Sequence, residues 1–344
     1  MTLRAFDSPM QDLNGASVLV TGGTGSFGKA FIRSFLARWK PARLVVFSRD
    51  ELKQYEMQQD PLIGDHACMR FFLGDVRDRD RLESAMRGID IVIHAAALKQ
   101  ILAAEYNPFE CIHTNVLGAE NVVQAAIRTG VKKVVALSTD KAASPINLYG
   151  ASKLASDKIF VAGNNMAGGM GTRFSVVRYG NVLGSRGSVV PLFRRLMAEG
   201  APDLPITDER MTRFWITLDQ GINFVLSSLA LMEGGEIFVP KIPSSTVTAL
   251  ALAVAPDMAH RMVGIRPGEK LHEEMITEGD ARTTVALEDR YVIQPAWQSW
   301  GDESETVEYE GNVPVPSDFS FTSHDNDDIA SVEALRHLIE VAGV

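Results

Sequence analysis

Cysteine is scarce in this chain. Among 344 residues there are only Cys68 and Cys111. No C-x-x-C spacing joins them, so a disulfide framework and a zinc ribbon are both excluded, and a reduced, cytoplasmic setting is expected. No apolar run is long enough to span a bilayer, and Met1 to Asn14 lacks the basic, apolar and small-residue order of a signal peptide. Positive charge is in deficit: Lys and Arg number 34 against 43 Asp and Glu, a net charge of −9. With no basic stripe, neither nucleic acid nor a membrane is an expected partner. Internal repeats and long low-complexity tracts are absent too. His272-Glu273-Glu274-Met275 is not a zinc motif, because Ile276 stands where the second histidine is needed. No metal site is expected.

What is present is a large apolar fraction, 46% of the residues, enough for one or two domains. The first half alternates short β-rich runs with helical stretches. Strands are expected at Ser17–Thr21, Arg43–Ser48, Met69–Leu73, Ile89–Ile93, Val134 to about Thr139, and Phe174–Tyr179. Helices fall between them at Lys29–Arg38, Arg79–Met86 and, as one long element, Phe109–Thr129. That alternation argues an α/β fold with a parallel, doubly wound sheet. Beyond Gly184 the pattern loosens. Helices are expected at Leu192–Ala198 and Asp219–Met232, a short strand at Glu236–Val239, and a helix starting near Leu271. The tail after Tyr291 is polar, with an acidic loop from Gly301 to Glu310 and a last amphipathic helix carrying Val332, Leu335, Leu338 and Ile339 on one face.

Directly after the first strand come Gly22, Thr24, Gly25, Ser26, Phe27 and Gly28, in a G-x-x-G-x-x-G spacing that opens a helix. Glycine permits the tight turn and a close backbone approach to a pyrophosphate, and the helix N-terminus offers free N–H groups to the anion. The second strand ends in Ser48-Arg49, with Lys53 near, where an NAD site usually carries an acid for the ribose 2′-hydroxyl. These groups suit a 2′-phosphate, so NADP is the expected cofactor, and Asp50 leaves NAD open. Asp75 and Val76 follow the third strand, with Asp75 at the adenine or else serving as a helix cap. Ala95 and Ala96 let the backbone pass close to a cofactor. His94 reads as a packed strand-end residue, and Lys99 as a group facing the phosphate or sugar side. Asn115 is placed to bond backbone near the site.

The fifth strand delivers Thr139, Asp140 and Lys141 to the sheet edge where open α/β sheets bind ligands. Tyr149 and Lys153 then share one face of the following helix. An ammonium near a phenol favours the phenolate, so Lys153 is expected to lower the pKa of Tyr149 and equip it to take a proton from a sugar hydroxyl. Scattered arginines on the later loops suit a diphosphate.

Together these residues resemble the extended short-chain dehydrogenase/reductase superfamily. Within it, the chain is most similar to the inverting UDP-N-acetylglucosamine 4,6-dehydratases of bacterial surface-glycan pathways. The likeness rests on Leu98-Lys99-Gln100, on Glu105-Tyr106-Asn107-Pro108-Phe109-Glu110, on Ser138-Thr139-Asp140-Lys141-Ala142-Ala143 and on Met211-Thr212-Arg213-Phe214. Asp140-Lys141 is the diagnostic pair. Retaining dehydratases carry Asp-Glu there, and simple epimerases a neutral residue. Leu102 departs from the family's proline, and the lead before Gly15 has no counterpart that explains it.

The resemblance implies a Rossmann-like sheet over residues 15–184 with later segments returning to it, a smaller, partly interleaved substrate domain over 185–290, and a tail over 291–344. It also implies UDP-N-acetylglucosamine as substrate and a homo-oligomer. Thr139, Asp140, Lys141, Tyr149 and Lys153 are the implied catalytic residues. Tyr149 would take the 4-hydroxyl proton. Lys141, with a depressed pKa, would take the C5 proton, and Asp140 would protonate the departing 6-hydroxyl. Lys99, Asn181, Val189, Thr207, Arg213, Arg266 and Glu269 are the implied substrate contacts. Two rivals stand beside this reading. A UDP-N-acetylhexosamine 4-epimerase would need Tyr149 and Lys153 but not Asp140-Lys141. A regulator that binds NADP without turnover would not need the active tyrosine.

Overall fold

A computed structural model describes residues 3–185, 187–296 and 307–344. Arg186 and most of the expected acidic loop from Gly301 lie outside the described residues. The strand–helix alternation runs β1 (Ser17–Thr21), α1 (Ser26–Arg38), β2 (Arg43–Ser48), α2 (Glu51–Gln58), β3 (Met69–Leu73), α3 (Arg79–Met86) and β4 (Ile91–His94). It continues with α4 (Ile101–Tyr106), α5 (Pro108–Ile112), α6 (Gly118–Thr129), β5 (Lys133–Thr139), α7 (Leu148–Ala167) and β6 (Arg173–Tyr179). The fourth strand starts later than expected because Ile89 still belongs to the turn off α3, its N–H bonding the Met86 carbonyl at 3.0 Å. The expected long helix from Phe109 is broken by a π turn over His113–Leu117, a kind of bulge that often marks functional sites.

In the second half come β7 (Asn181–Val182), α8 (Val189–Ala198), β8 (Asp203–Ile206), β9 (Thr212–Ile216), α9 (Leu218–Leu231), β10 (Ile237–Pro240), β11 (Ser244–Thr246) and α10 (Val247–Val254). Then follow β12 (Ala259–Met262), β13 (Glu274–Ile276), α11 (Glu278–Ala281), β14 (Thr284–Ala286), β15 (Arg290–Ile293), β16 (Val313–Pro314), β17 (Phe321–Thr322) and α12 (Val332–Val341). No helix forms at Leu271. The Leu271 carbonyl accepts from the Thr212 N–H at 3.1 Å, so the segment lies extended beside β9 and runs on into β13.

The main sheet has ten strands in the order β16-β14-β15-β10-β6-β5-β4-β1-β2-β3. From β10 to β3 every pairing is parallel, and β15, β14 and β16 are added antiparallel. The parallel strands are apolar on both faces, as helices on both sides demand; Val18, Val45, Val92, Val134 and Val176 are all buried. Chain order reverses between β1 and β4, which opens a crevice at the C-terminal strand ends. Over that edge sit β11-β9-β7, the parallel pair β8-β12 and the antiparallel pair β13-β17. The tail is not a separate appendage: β16 and β17 join earlier strands, and α12 buries Leu335, Leu338 and Ile339 in a cluster with Leu250 of α10, Val190 of α8 and Trp215 of β9. Among the described residues no helix is long and apolar enough to cross a membrane.

The lead before Gly15 is a strap across the back of α9. Gln220 and Asn223 donate side-chain hydrogen bonds to the Arg4 and Ala5 carbonyls at 2.9 Å each. Phe6 inserts edge-on against Phe224, with ring centroids 5.2 Å apart. Phe6→Ala is expected to lower stability by about 3 kcal/mol, as for a large aromatic removed from a core. Urea unfolding should show this as a lower midpoint at constant slope; an unmoved midpoint would mean that the strap contributes nothing to the folded unit.

Candidate active site

The crevice is a cavity of about 1180 Å³, larger than the roughly 300–1,000 Å³ of a single small-molecule site. One end is built by the glycine turn. Gly22 sits at φ +65° and its N–H bonds the Phe47 carbonyl at 2.8 Å. A Cβ on Gly22 would lie 2.9 Å from the Ala96 main chain, so the turn after β1 and the loop after β4 converge with no side chain between them. Gly28 is as tightly required: its Cβ would fall 2.5 Å from Gly23. Gly25 precedes α1, whose first turn holds no acidic residue. Thr24, Ser26, Phe27, Ala95 and Val76 line the same end. His94 is buried against Thr21, with Nδ1 2.8 Å from Oγ1, and burial pushes its pKa down to about 3, so it is a neutral packed group.

At the end of β2, Ser48 Oγ accepts from Gln54 at 3.0 Å, Lys53 pairs with Asp50, and the Arg49 guanidinium stands 3.4 Å from Asp75. Burial alone would raise the Asp75 carboxyl, but hydrogen bonds from Arg77 and the charge of Arg49 hold it below the usual range. Asp50 caps α2 through the Lys53 N–H.

The other end is organised by β5. Thr139 ends the strand, and its hydroxyl donates to Asp140 Oδ1 at 2.8 Å. A single 3-10 turn then presents Lys141, whose Nζ lies 3.0 Å from Asp140 Oδ1, 3.1 Å from Glu273 Oε1 and 3.4 Å from Asn181 Oδ1. Asn147 caps α7 through the Gly150 N–H at 2.7 Å and reaches the Gly268 carbonyl with its amide. Tyr149 is thereby fixed in the first turn, with Lys153 buried behind it. Asn115, on the π turn, bonds the Leu98 carbonyl and N–H at 2.9 and 2.8 Å and donates to Ser152, which locks the loop carrying Lys99 to α7.

Two electrostatic expectations are corrected. Burial alone pushes the Lys141 ammonium down, but Asp140 and Glu273 more than reverse this and hold it above the ordinary lysine value. The residue is an ammonium, not a depressed amine. Burial likewise drives Tyr149 up to about 12, and the foremost cation pulling it back is Lys141, across the turn, rather than Lys153. Lys153 is lowered by burial, with Asp157 partly restoring it.

Of the residues singled out from sequence, the cofactor and substrate groups, Thr139, Lys141, Tyr149 and Lys153 all line this cavity. Asp140 does not: it lies fully buried beneath Lys141. Val189, Thr207, Arg266 and Glu269 are on the wall opposite the main sheet, and Arg266 faces Glu269 at 3.8 Å. Arg213 is less free than a loop arginine. Its guanidinium donates to the Thr212, Leu271 and Lys270 carbonyls at 2.7, 3.2 and 3.0 Å, pinning β9 to the neighbouring segment. Sequence reasoning passed over two wall residues, Lys270 and Glu273. Glu273 stood in a histidine-glutamate string that was weighed only as a zinc motif, and the expected helix at Leu271 would have turned it elsewhere. Among the described residues no group of three or more His, Cys, Asp or Glu is placed to hold a metal.

A dinucleotide turn at the β1–β4 switch point and a Thr-Tyr-Lys constellation after β5 define a short-chain dehydrogenase/reductase type of nucleotide-binding protein. The family profile described as "Polysaccharide biosynthesis protein" matches residues 18–295, and the chain belongs to that family. It is 54% identical over 329 residues to a UDP-N-acetylglucosamine 4,6-dehydratase (inverting) of Campylobacter jejuni subsp. jejuni serotype O:23/36 (strain 81-176), covering 95% of this chain and 98% of the relative. It is 40% identical over 332 residues to a UDP-glucose 4-epimerase of Rickettsia canadensis (strain McKiel), covering 94% and 95%. Among solved structures, Pen from Bacillus thuringiensis superposes with a TM-score of 0.86 at 35% identity, over 96% of this chain and 98% of that one. DesIV, a dTDP-glucose 4,6-dehydratase from Streptomyces venezuelae with NAD and TYD bound, gives 0.66 at 26%, over 74% and 86%.

Packing holds the site as tightly as its hydrogen bonds do. A Cβ on Gly150 would lie 2.2 Å from the Lys141 carbonyl. Gly150→Ala is expected to cost about 1–3 kcal/mol, the usual range for overpacking, and to push the Asp140–Lys141 turn off α7. Wild-type stability in urea unfolding would show instead that the turn yields freely.

Proposed function

We propose that the protein is a nicotinamide-dependent UDP-N-acetylglucosamine 4,6-dehydratase that inverts C5, a lyase of nucleotide-sugar metabolism giving UDP-2-acetamido-2,6-dideoxy-β-L-arabino-hexos-4-ulose for surface-glycan or pseudaminic-acid-type sugar synthesis. The observation that carries this is Lys141, held by Asp140 at the end of β5 and facing the same cavity as Tyr149. The other end suits a dinucleotide: no side chain stands between Gly22 and Ala96, and the first turn of α1 holds no acidic residue, so its N-terminus can face a pyrophosphate. A nicotinamide dinucleotide held there by Gly22, Gly25, Ser26 and Phe27 would supply the hydride acceptor and donor for C4 and C6. Ser48, Arg49 and Lys53 favour NADP, since Arg49 can offer a 2′-phosphate a charged fork. Cofactor extracted from purified protein should therefore be NADP(H); NAD(H) alone would overturn that choice.

Tyr149 takes the 4-hydroxyl proton, with Thr139 and Lys141 stabilising the phenolate. The 4-ketone acidifies C5–H. Lys141 must shed its proton before it can take the one from C5, and Asp140, at 3.0 Å, is a neighbour able to hold it. The same carboxyl is the source of the proton for the departing 6-hydroxyl, passed through the cavity-lining Thr139, whose hydroxyl bonds Asp140 Oδ1 at 2.8 Å. A proton then returns to C5 from the opposite face, from Tyr149, which holds the 4-hydroxyl proton, or from Lys141. Arg266, Lys99 and Arg213 serve the diphosphate, with Asn181, Val189, Thr207 and Glu269 around the sugar and nucleoside.

The protein acts in the cytoplasm in this reading, where the free Cys68 and Cys111 stay reduced. Leu102, Tyr106 and Phe109, all well exposed on α4 and α5, suit contact with a second copy in a homo-oligomer. The 4-epimerase reading is favoured by the 40% identical relative of that name, but it leaves the charged pair Asp140-Lys141 without a task.

Incubation with UDP-N-acetylglucosamine should give a product lighter by one water, by mass and NMR. A product of unchanged mass would establish the epimerase. In deuterated water the product should carry deuterium at C5 and none at C6. Lys141→Met should abolish water loss and also slow C4 oxidation, because Tyr149 loses the foremost cation that lowers it; undiminished dehydration in that variant would remove Lys141 from the reaction.

A further inference from the structure

Glu273 is not accounted for by the steps above. It is 1% exposed, yet it forms part of the cavity wall. Its Oε1 lies 3.1 Å from Lys141 Nζ, as close as Asp140 on the other side, and its Oε2 is buried with no hydrogen-bond partner. It reaches this position because the Glu273 N–H bonds Ser323 Oγ at 2.8 Å and its carbonyl accepts from the Ser323 N–H at 2.8 Å, so the tail around β17 clamps the residue facing inward. The other charges around it are Arg213 of β9 at 3.7 Å and Lys270 at 3.9 Å. Both have other engagements: Arg213 with three carbonyls, Lys270 with the Ala143 carbonyl at 2.6 Å. The groups acting on Lys141 are therefore Asp140 from its own turn, Glu273 from the segment before β13, Arg213 from β9, Lys270 beside Glu273, and the Tyr149 hydroxyl of α7.

We propose that Glu273 is a positioning residue for Lys141, a second counter-ion that holds Nζ at the cavity wall and sets whether it carries a proton. Asp140 alone would draw Nζ down toward the strand end. With carboxylates on both sides the ammonium stays at the level of the cavity, and two anions must be overcome before it becomes an amine. Glu273 also lies on the segment that carries Arg266, Glu269 and Lys270, so a ligand that moves this segment changes the charge felt by the base. The proposal rests on the reading of Lys141 as the C5 base.

The test measures Lys141 without substrate. Wild type and Glu273→Gln are exposed to acetic anhydride across a pH series, and acetylation of the Lys141 peptide is followed by mass spectrometry, with the exposed Lys40 as internal control. Lys141 is about one-fifth exposed (19% of its side chain), so a small reagent can reach it. In wild type, half-labelling of Lys141 should need a higher pH than Lys40. In Glu273→Gln the midpoint should fall by about 1–3 pH units, the range for loss of a close opposite charge, and Glu273→Asp should recover part of the difference. An equal midpoint in wild type and Glu273→Gln overturns the proposal. So does wild-type Lys141 labelling at the pH of Lys40, which needs no folded variant. In turnover, the acidic limb of kcat should move to lower pH in Glu273→Gln with KM unchanged, because a base with a lower pKa is free at lower pH; a change confined to KM overturns the proposal too. A wild-type protein that releases no water sinks the dehydratase reading, while the labelling result still decides the role of Glu273.

Discussion

A nearly buried ammonium between two buried carboxylates is the constraint on which the rest of this site depends. Lys141 exposes 19% of its side chain, Asp140 1% and Glu273 2%. A charge so far from water is tolerable only with good partners, and stripping one partner from such a cluster is far more costly than exchanging the whole for apolar groups. The cluster draws its members from elements distant in sequence: the turn after β5, the segment before β13, and Arg213 on β9. Bringing them together fixes how the smaller layer sits over the sheet edge, so substrate wall and catalytic turn are one construction.

The helix that follows depends on the same turn. Gly150 touches the Lys141 carbonyl so closely that no side chain fits, and the Asn147 cap ties the start of α7 to Gly268 on the opposite wall. Tyr149 is therefore placed by contacts from both sides of the cavity. Its phenol is pushed up by burial, and the foremost cation that brings it down is Lys141. Proton affinity at the two working groups is thus coupled: removing the charge of Lys141 raises the cost of ionising Tyr149.

Much of the first half was legible because local rules act there in concert. The β1 run, the glycines of the turn and the start of α1 read directly, since a parallel strand must be apolar throughout and a tight turn before a helix needs glycine. The second half was harder. Leu271 to Met275 carries apolar residues at a spacing that suits a helix, yet the backbone hydrogen bond from Thr212 to Leu271 and the two that Glu273 exchanges with Ser323 hold it out of a helix. The lead before Gly15 had no periodicity to read, because what orders it is the side of α9, reached through Gln220, Asn223 and Phe224.

By itself the sequence determined the parallel sheet, the edge where its crevice opens and the residues Thr139, Lys141, Tyr149 and Lys153 that line it. These follow from interactions between near neighbours: strand, turn, cap and helix face. Tertiary structure alone decided the charges. That Lys141 is an ammonium, that it is the foremost cation acting on Tyr149, that Asp140 lies beneath the cavity wall and that Glu273 completes the cluster all depend on placement in space, above all on the 3.1 Å between Lys141 and Glu273, far apart in the chain. Electrostatic energy falls with distance in space and with exposure to water, and neither quantity is written in the spacing of residues along the chain.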